Sequence, residues 1–415
     1  MRVLLCPCGS RGDVQPLVAL AERLIARGHE VRLVGAPNAA GQCQGRGVPF
    51  EPMGLDFEAY LPQVAEELTD APVRVVLEFA RLIPAQLDVQ FDVLSRHAGW
   101  PDVVLGAGII HAAHSVAQAS DAPYFFVAYT AQMLRSRHHP PFPFPYGWLP
   151  SWLNRGLWGL ADRLFGGLGR GRMDRHRRAL GLGPIGSPLD HFAGPGRVLL
   201  ATDPRLSPSP EDFLPAPPST GFWHLPQDQL TLPSLVEDFL QSGPKPLYLG
   251  FGSMTDPDPV RTTASALRAV RELGLRLVIA SGLAGLGDQV QGDDVLVVPQ
   301  VPHGPLLPRC VAAVHHGGSG TTAAVARAGI PQLVVPHLAD QHYFGHRVTS
   351  AGLGPERLSK RRFHGRQLVP RLQRLVSDPD LALAARDHGV HARAQDGLAR
   401  AVAVLEGLRG RGYAL

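Results

Sequence analysis

The chain has 415 residues, 45% of them hydrophobic, and its 40 basic against 36 acidic side chains leave a formal charge of +4. That length exceeds one ordinary core and suits two domains of roughly 200 residues each. So small a charge excess gives little electrostatic reason to expect a nucleic acid partner, despite a basic isoelectric point. No apolar run reaches the roughly 18 residues of a membrane span, and the opening MRVLLCPCGS has too short an apolar part for a secretory signal. The expectation is therefore a cytoplasmic protein. Its four cysteines, Cys6, Cys8, Cys43 and Cys310, form no CxxC pair and read as reduced thiols.

Short apolar runs alternate with helical patterns through the N-terminal half. VLLCP (3–7) precedes a helix expected over 15–27, and VRLVGA (31–36), DVVLGA (102–107), APYFFVA (122–128) and VLLATD (198–203) follow. Such alternation predicts a parallel, doubly wound sheet. The less regular region 134–178 holds nine arginines, two acids and three of the five tryptophans. It reads either as an amphipathic patch making peripheral membrane contact or as a helical insertion with solvated arginines and core tryptophans. A proline-rich stretch (204–226) then leads into an expected linker at 221–243, between domains at 1–220 and 244–394.

A second series begins with PLYLGFGS (246–253) and a helix near 260–273, then LRLVIASG (275–282), DVLVVPQ (294–300), CVAAVHH (310–316) and PQLVVPH (331–337). It predicts a second sheet of the same kind. Ligands bind at the carboxyl ends of strands in open α/β sheets, so GSRGD (9–13) and HHGGSGT (315–321) are expected at a cleft between the two. Segment 380–408 is alanine-rich and helical in period, with DPD near its start as a cap.

Within VAAVHHGGSGTTAAVARAG (311–329), a strand runs through a glycine-rich turn into a helix. Glycines let backbone N–H groups approach an anion, and the helix N-terminus adds partial positive charge. Gly318, Ser319, Gly320 and Thr321 therefore form a candidate diphosphate site, with His316 placed to donate a hydrogen bond. Read more plainly, the serine and threonine are only helix caps. Gly318-x-Gly320-x-x-Ala323, with Asp340 about 20 residues on, also satisfies a dinucleotide fingerprint. That fingerprint sits late in its domain, after several strands, and does not need the preceding His-His pair.

CGSRGDVQPLVALAERLIARGHEV (8–31), LYLGFGSM (247–254), the run from Val301 to Val348 and AQDGLARAVAVLEGL (394–408) together resemble the family 1 glycosyltransferases. The resemblance spans nearly the whole chain and is strongest toward bacterial antibiotic and sterol glycosyltransferases. It implies the GT-B fold, two Rossmann-like domains facing a cleft, with segment 395–415 returning to the N-terminal domain. It also implies inverting sugar transfer from a nucleoside diphosphate, UDP or dTDP, to a hydroxyl of a hydrophobic acceptor such as a sterol, macrolide or polyketide aglycone. The nucleotide sugar is then a co-substrate, and neither cofactor nor metal is required. Ser253 and His316 join the diphosphate site, Asp340 and Gln341 match the pair that holds sugar hydroxyls, and Gln300 and Val301 fall where the base is bound. Gly304 departs from the PHDW that relatives often carry. A nucleotide-sugar 2-epimerase and a non-catalytic sugar-nucleotide binder share the same form, and monomer and homodimer both stay open.

Many relatives carry a histidine base at the position of Asp13, oriented by an aspartate that aligns with Ala107. Here both have changed, and the resemblance implies that Asp13 itself is the general base. A carboxylate within reach can take the acceptor's proton, and burial raises its basicity. Arg11 is a candidate to neutralise diphosphate charge. His111 and His114 are candidate acceptor-pocket residues. The plainer reading of Asp13 is a cap on the following helix.

Overall fold

The computed structural model describes residues 1–408 except 69–71, 143, 145–148, 226–229, 289, 291 and 339. Trp148, part of the expected linker and the tail of the expected C-terminal helix lie outside the described residues. The chain divides into two units. One comprises Met1–Leu61, Val73–Leu225 and the chain from Asp396 on; the other comprises Pro62–Pro72 and Pro226–Gln395.

In the first unit, β1 (Arg2–Cys8), β2 (Glu30–Gly35), β3 (Phe50–Pro52), β4 (Val103–Gly108), β5 (Tyr124–Ala128) and β6 (Val198–Leu200) form one sheet. Its order is β3-β2-β1-β4-β5-β6 and every pairing is parallel. Val3, Leu5, Leu33, Val103 and Leu105 are wholly buried, as strands covered on both faces require. β3 was not legible, because FEP is three residues long and carries a glutamate and a proline. Such a strand is tolerated only at an edge, where it lies.

α1 (Arg11–Ala26) begins at Arg11 rather than at residue 15. Ser10 and Asp13 form a reciprocal capping box that fixes the earlier start. Arg11 and Asp13 therefore occupy the first helical turn, not a glycine-flanked loop. α2 (Pro72–Leu94) and α3 (Ala113–Ala119) follow. α4 (Ser151–Ala179) occupies most of the irregular region, burying Asn154, Trp158, Ala161, Gly169, Met173 and Arg177 along one stripe. Trp152, Leu160 and Leu164 lie exposed on it, so its tryptophans divide between core and surface. No helix among the described residues is long and apolar enough to cross a membrane.

The second unit holds β7 (Leu247–Gly250), β8 (Leu277–Ala280), β9 (Val295–Val298), β10 (Ala312–His315) and β11 (Gln332–Val334) in the order β11-β10-β7-β8-β9, again all parallel. Each matches an apolar run of the sequence. Helix Ser234–Gln241, inside the expected linker, buries Val236 and Leu240 in this unit's core. α5 (Ser319–Ala328) and α6 (Gln341–Ser350) lead out of β10 and follow β11.

The expected helix over 380–408 is broken into α7 (Pro379–Arg393), capped by Asp378, and α8 (Gly397–Gly407), capped by Asp396. α8 inserts Leu398, Ala401, Val402 and Leu405 into the first unit's core. Arg23 pairs with Asp396, and Arg27 and His29 with Glu406. These ion pairs are largely exposed, so the apolar insertion is the larger attachment.

Candidate active site

An open parallel sheet gathers ligands where its strand order reverses, because neighbouring loops there leave in opposite directions. In the first sheet the reversal lies between β1 and β4, whose last residues Cys8 and Gly108 pair. Asp13 stands just beyond the end of β1. Its Oδ2 accepts from the Ser10 N–H at 2.9 Å and the Ser10 hydroxyl at 3.3 Å. Glycines make its seat: a Cβ on Gly9 would fall 2.2 Å from Oδ2, and one on Gly108 3.2 Å from Cγ. Burial pushes the carboxyl up to about 6, against the lowering effect of the Ser10 donors. Capping and a raised proton affinity thus coexist in one side chain, and a carboxylate that titrates near neutrality suits proton abstraction.

Arg11 is exposed in the same turn. His111 follows β4; burial pushes its imidazole down to about 4, and its Nε2 is buried without a partner. Phe192 lies beside it, ring centres 5.6 Å apart. His114 is packed among core side chains. It is 8% exposed, donates from Nδ1 to the His191 carbonyl at 2.8 Å and stacks on Tyr124 and His191.

In the second sheet the order reverses between β7 and β10, whose last residues Gly250 and His315 pair. The turn after β7 carries Ser253, and the turn after β10 carries His316 through Thr321. Gly318 caps α5 in extended conformation, leaving the first N–H groups of that helix at the turn. Gly317 must be glycine: its φ is +93° and a Cβ would sit 2.5 Å from Val334. A Cβ on Gly318 would meet His316 Nε2 at 2.4 Å, so the imidazole lies directly against the turn. Burial, with His315, His337 and His303 nearby, holds His316 far below its ordinary pKa. Neutral, the imidazole carries a single N–H; its ring is hydrogen-bonded to the Gly250 backbone and its Nδ1 is buried without a partner, beside the N-terminus of α5.

Gln300 and Val301 follow β9, the first exposed and the second partly buried. Asp340 precedes α6 and is partly buried, and its carboxylate does not cap that helix. Gln341 is 4% exposed and already committed within the protein. Its Oε1 accepts from the N–H groups of His337 at 2.8 Å and Leu338 at 3.2 Å, and its Nε2 donates to Met254 Sδ at 3.2 Å. The side chain expected to hold a sugar ties together the loops after β11 and β7.

Several residues that shape these sites carried no sequence signal. His315 Nδ1 accepts from the Gly317 N–H at 3.0 Å, which fixes its tautomer so that Nε2 donates to Gln332 Oε1 at 2.8 Å. Lys360 forms a buried ion pair with Asp256 beyond the Ser253 turn; burial raises the Asp256 carboxyl, but Lys360 together with donors from Asp258 and Thr262 holds it below its ordinary value. Asn38 donates to the Gly9 carbonyl at 3.2 Å. A histidine beside a glycine turn was visible as a candidate; distant amide and ion-pair partners were not.

Residues 3–123 match the glycosyltransferase family 28 N-terminal domain, and residues 276–397 match the C-terminal domain of the erythromycin biosynthesis protein CIII-like family. The chain is 36% identical over 364 residues to the vancomycin aglycone glucosyltransferase of Amycolatopsis orientalis, covering 85% of each protein. It is 30% identical over 429 residues to the sterol 3-beta-glucosyltransferase UGT80A2 of Arabidopsis thaliana, covering 97% of this chain and 64% of that relative. The solved structure of the glycosyltransferase VinC in complex with dTDP superposes with a TM-score of 0.69 at 23% identity, covering 99% of this chain and 100% of that one.

Proposed function

The chain belongs to the family 1 glycosyltransferases, is itself a glycosyltransferase of GT-B fold, and on that premise we propose that it moves a hexose or deoxysugar from a UDP- or dTDP-sugar to a hydroxyl of a lipophilic acceptor, with inversion and with Asp13 as general base. This assignment sets aside the nicotinamide-dependent and non-catalytic readings. The observation that carries it is the carboxyl of Asp13, seated between Gly9 and Gly108 at the sheet's reversal and raised to about 6. An aliphatic hydroxyl becomes nucleophilic only as its proton leaves. A carboxylate ionised at neutral pH, with a proton affinity above the ordinary, accepts that proton more readily than an exposed one.

On the donor side, charge develops on the diphosphate as the glycosidic bond breaks. The N–H groups at the start of α5 around Gly318, Ser319, Gly320 and Thr321, with the neutral His316 and the Ser253 hydroxyl, supply fixed donors for that charge. Arg11 supplies a full positive charge. In this proposal those groups suffice without a metal. Asp340 accepts from sugar hydroxyls while Gln341 holds the loop, and Gln300 and Val301 border the base. A vancomycin aglycone and a sterol, named for two relatives, support a small-molecule aglycone acceptor for this chain, the sterol favouring a lipophilic one, and the dTDP bound to VinC supports a nucleoside diphosphate. The four buried, free cysteines are in keeping with a reducing cytoplasm. Trp152, Leu160 and Leu164 on α4, with the exposed Arg155 and Arg163, suit peripheral contact with an anionic lipid surface.

The test is release of UDP or dTDP from a panel of nucleotide sugars, with and without aglycones and with and without EDTA. Acceptor-dependent release insensitive to EDTA is expected. Epimerised sugar without acceptor, or activity restored only by added metal, would count against the proposal.

A further inference from the structure

Gln90, on α2, has no exposed surface, yet it is a polar side chain where a methionine or leucine would fill the same volume. Its bonds explain why. Nε2 donates to the Ile109 carbonyl at 2.8 Å and, more weakly, to Cys8 Sγ at 3.5 Å, while Oε1 accepts from the N–H groups of His111 at 2.7 Å and Ala112 at 3.3 Å. A buried amide is costly unless its groups are bonded, and here both ends are spent on a single loop and the strand end beneath it. That loop leaves β4 through Gly108 in the left-handed region, φ +71°. Ile109 N–H donates to the Cys8 carbonyl at 2.7 Å, so the loop folds over the end of β1. There a Cβ on Gly108 would fall 2.1 Å from the Cys8 carbonyl oxygen and 3.2 Å from Asp13 Cγ, so only glycine lets the loop close over the end of β1 beside that carboxyl.

We propose that Gln90 is a positioning residue for the sugar-transfer reaction: its amide clamps loop 108–112 so that Gly108 closes against the Asp13 carboxylate, aiming it and keeping water from it. The inference rests on reading Asp13 as the general base. Gln86, one helical turn away and 8% exposed, provides an internal comparison, because its Oε1 accepts from Leu55 N–H at 3.0 Å and so grips the Gly54–Leu55 turn instead. The titratable groups facing Asp13 hold one charge state while it titrates. Burial, reinforced by Asp13 itself, pushes Cys8 up to about 12. Burial likewise holds Tyr129, whose hydroxyl donates to the Asp13 carbonyl at 3.1 Å, well above its ordinary value. His111, on the clamped loop, is pushed down to about 4, and the Arg11 side chain is exposed in the same turn. A change in the acid limb of the rate profile between about pH 5 and 8 therefore reports Asp13.

The experiment compares Gln90→Met and Gln86→Met in the full chain, with an aliphatic alcohol acceptor. For Gln90→Met, kcat should fall about ten- to a hundredfold, as expected when a reacting group is misplaced by about 1 Å, with donor KM within about twofold. The acid midpoint should drop from about 6 toward the ordinary carboxylate range, because a loosened loop admits water. Gln86→Met should leave midpoint and kcat unchanged. A Gln90→Met enzyme with the wild-type midpoint and a kcat no lower than that of Gln86→Met overturns the proposal. If Gln90→Met does not fold, Gln90→Asn, which withdraws the amide by one methylene, is held to the same two outcomes. Asp13→Asn is measured alongside. Near-full activity of that variant sinks the general-base reading and this inference with it, whereas an inactive Asp13→Asn beside an unaltered Gln90→Met removes only the clamp.

Discussion

At the reversal of the second sheet the groups proposed to recognise the diphosphate are backbone N–H groups at the start of α5 and an imidazole that burial keeps neutral, both shaped by consecutive glycines. At the reversal of the first sheet stands a single carboxylate, the base of the proposed transfer, and its surroundings push its proton affinity up rather than remove its charge. Both places use a buried glutamine to tie loops: Gln90 holds the loop after β4 to Cys8, and Gln341 holds the loop after β11 to Met254. The difference teaches that binding an anion needs only backbone geometry and fixed dipoles, which tolerate pH. Abstracting a proton needs a group poised to titrate, and that makes the first site the pH-sensitive one.

The largest effect expected to break this comparison is at Asp13. Asp13→Asn keeps the shape and the acceptor for Ser10 but cannot take a proton, so turnover on an aliphatic acceptor should fall by about two to four powers of ten. Donor affinity, measured by calorimetry, should stay nearly constant. His316→Ala removes a fixed donor from the diphosphate turn and should cost about two to three powers of ten in kcat, with no displacement of the acid midpoint. An unchanged rate at saturating donor would remove His316 from the account.

How much of this was legible follows the same division. The apolar runs mark every strand longer than three residues, and the glycine-rich turn announces itself, because backbone that must approach a ligand has few residue choices. Asp13 was visible, but its place inside the first turn of α1 was not: the helix was expected from residue 15, and the Ser10–Asp13 box starts it at Arg11. His114 and Gln341, candidates for the acceptor pocket and the sugar, make internal hydrogen bonds, since local sequence does not say which way a side chain faces. Gln90 and Lys360 were silent, because their partners lie far along the chain.

A smaller effect concerns stability. Leu405→Ala, in the segment of α8 buried in the first unit, should cost about 2–5 kcal/mol in urea unfolding. Arg27→Ala, which breaks an exposed pair with Glu406, should be nearly silent; the reverse ranking would mean that α8 is held by charge. The smallest expected effect has a definite sign. Because folding raises the Asp13 pKa, the folded state binds that proton more tightly, and stability falls as pH rises from the ordinary carboxylate range through about 6. Asp13→Asn should therefore melt a few degrees above the wild type at pH 8 and alongside it near pH 4. A lower melting temperature at pH 8 would show the carboxylate to be a net stabilising cap.

The central claim is that one titrating carboxylate governs sugar transfer, and the pH dependence of kcat with saturating donor and an aliphatic alcohol acceptor tests it most directly. The account predicts a rate that climbs with pH to a plateau with its midpoint near 6, and for Asp13→Asn a low residual rate without that limb. A wild-type rate flat down to about pH 4, the ordinary carboxylate range, or an acid limb that persists unaltered in Asp13→Asn, would contradict it.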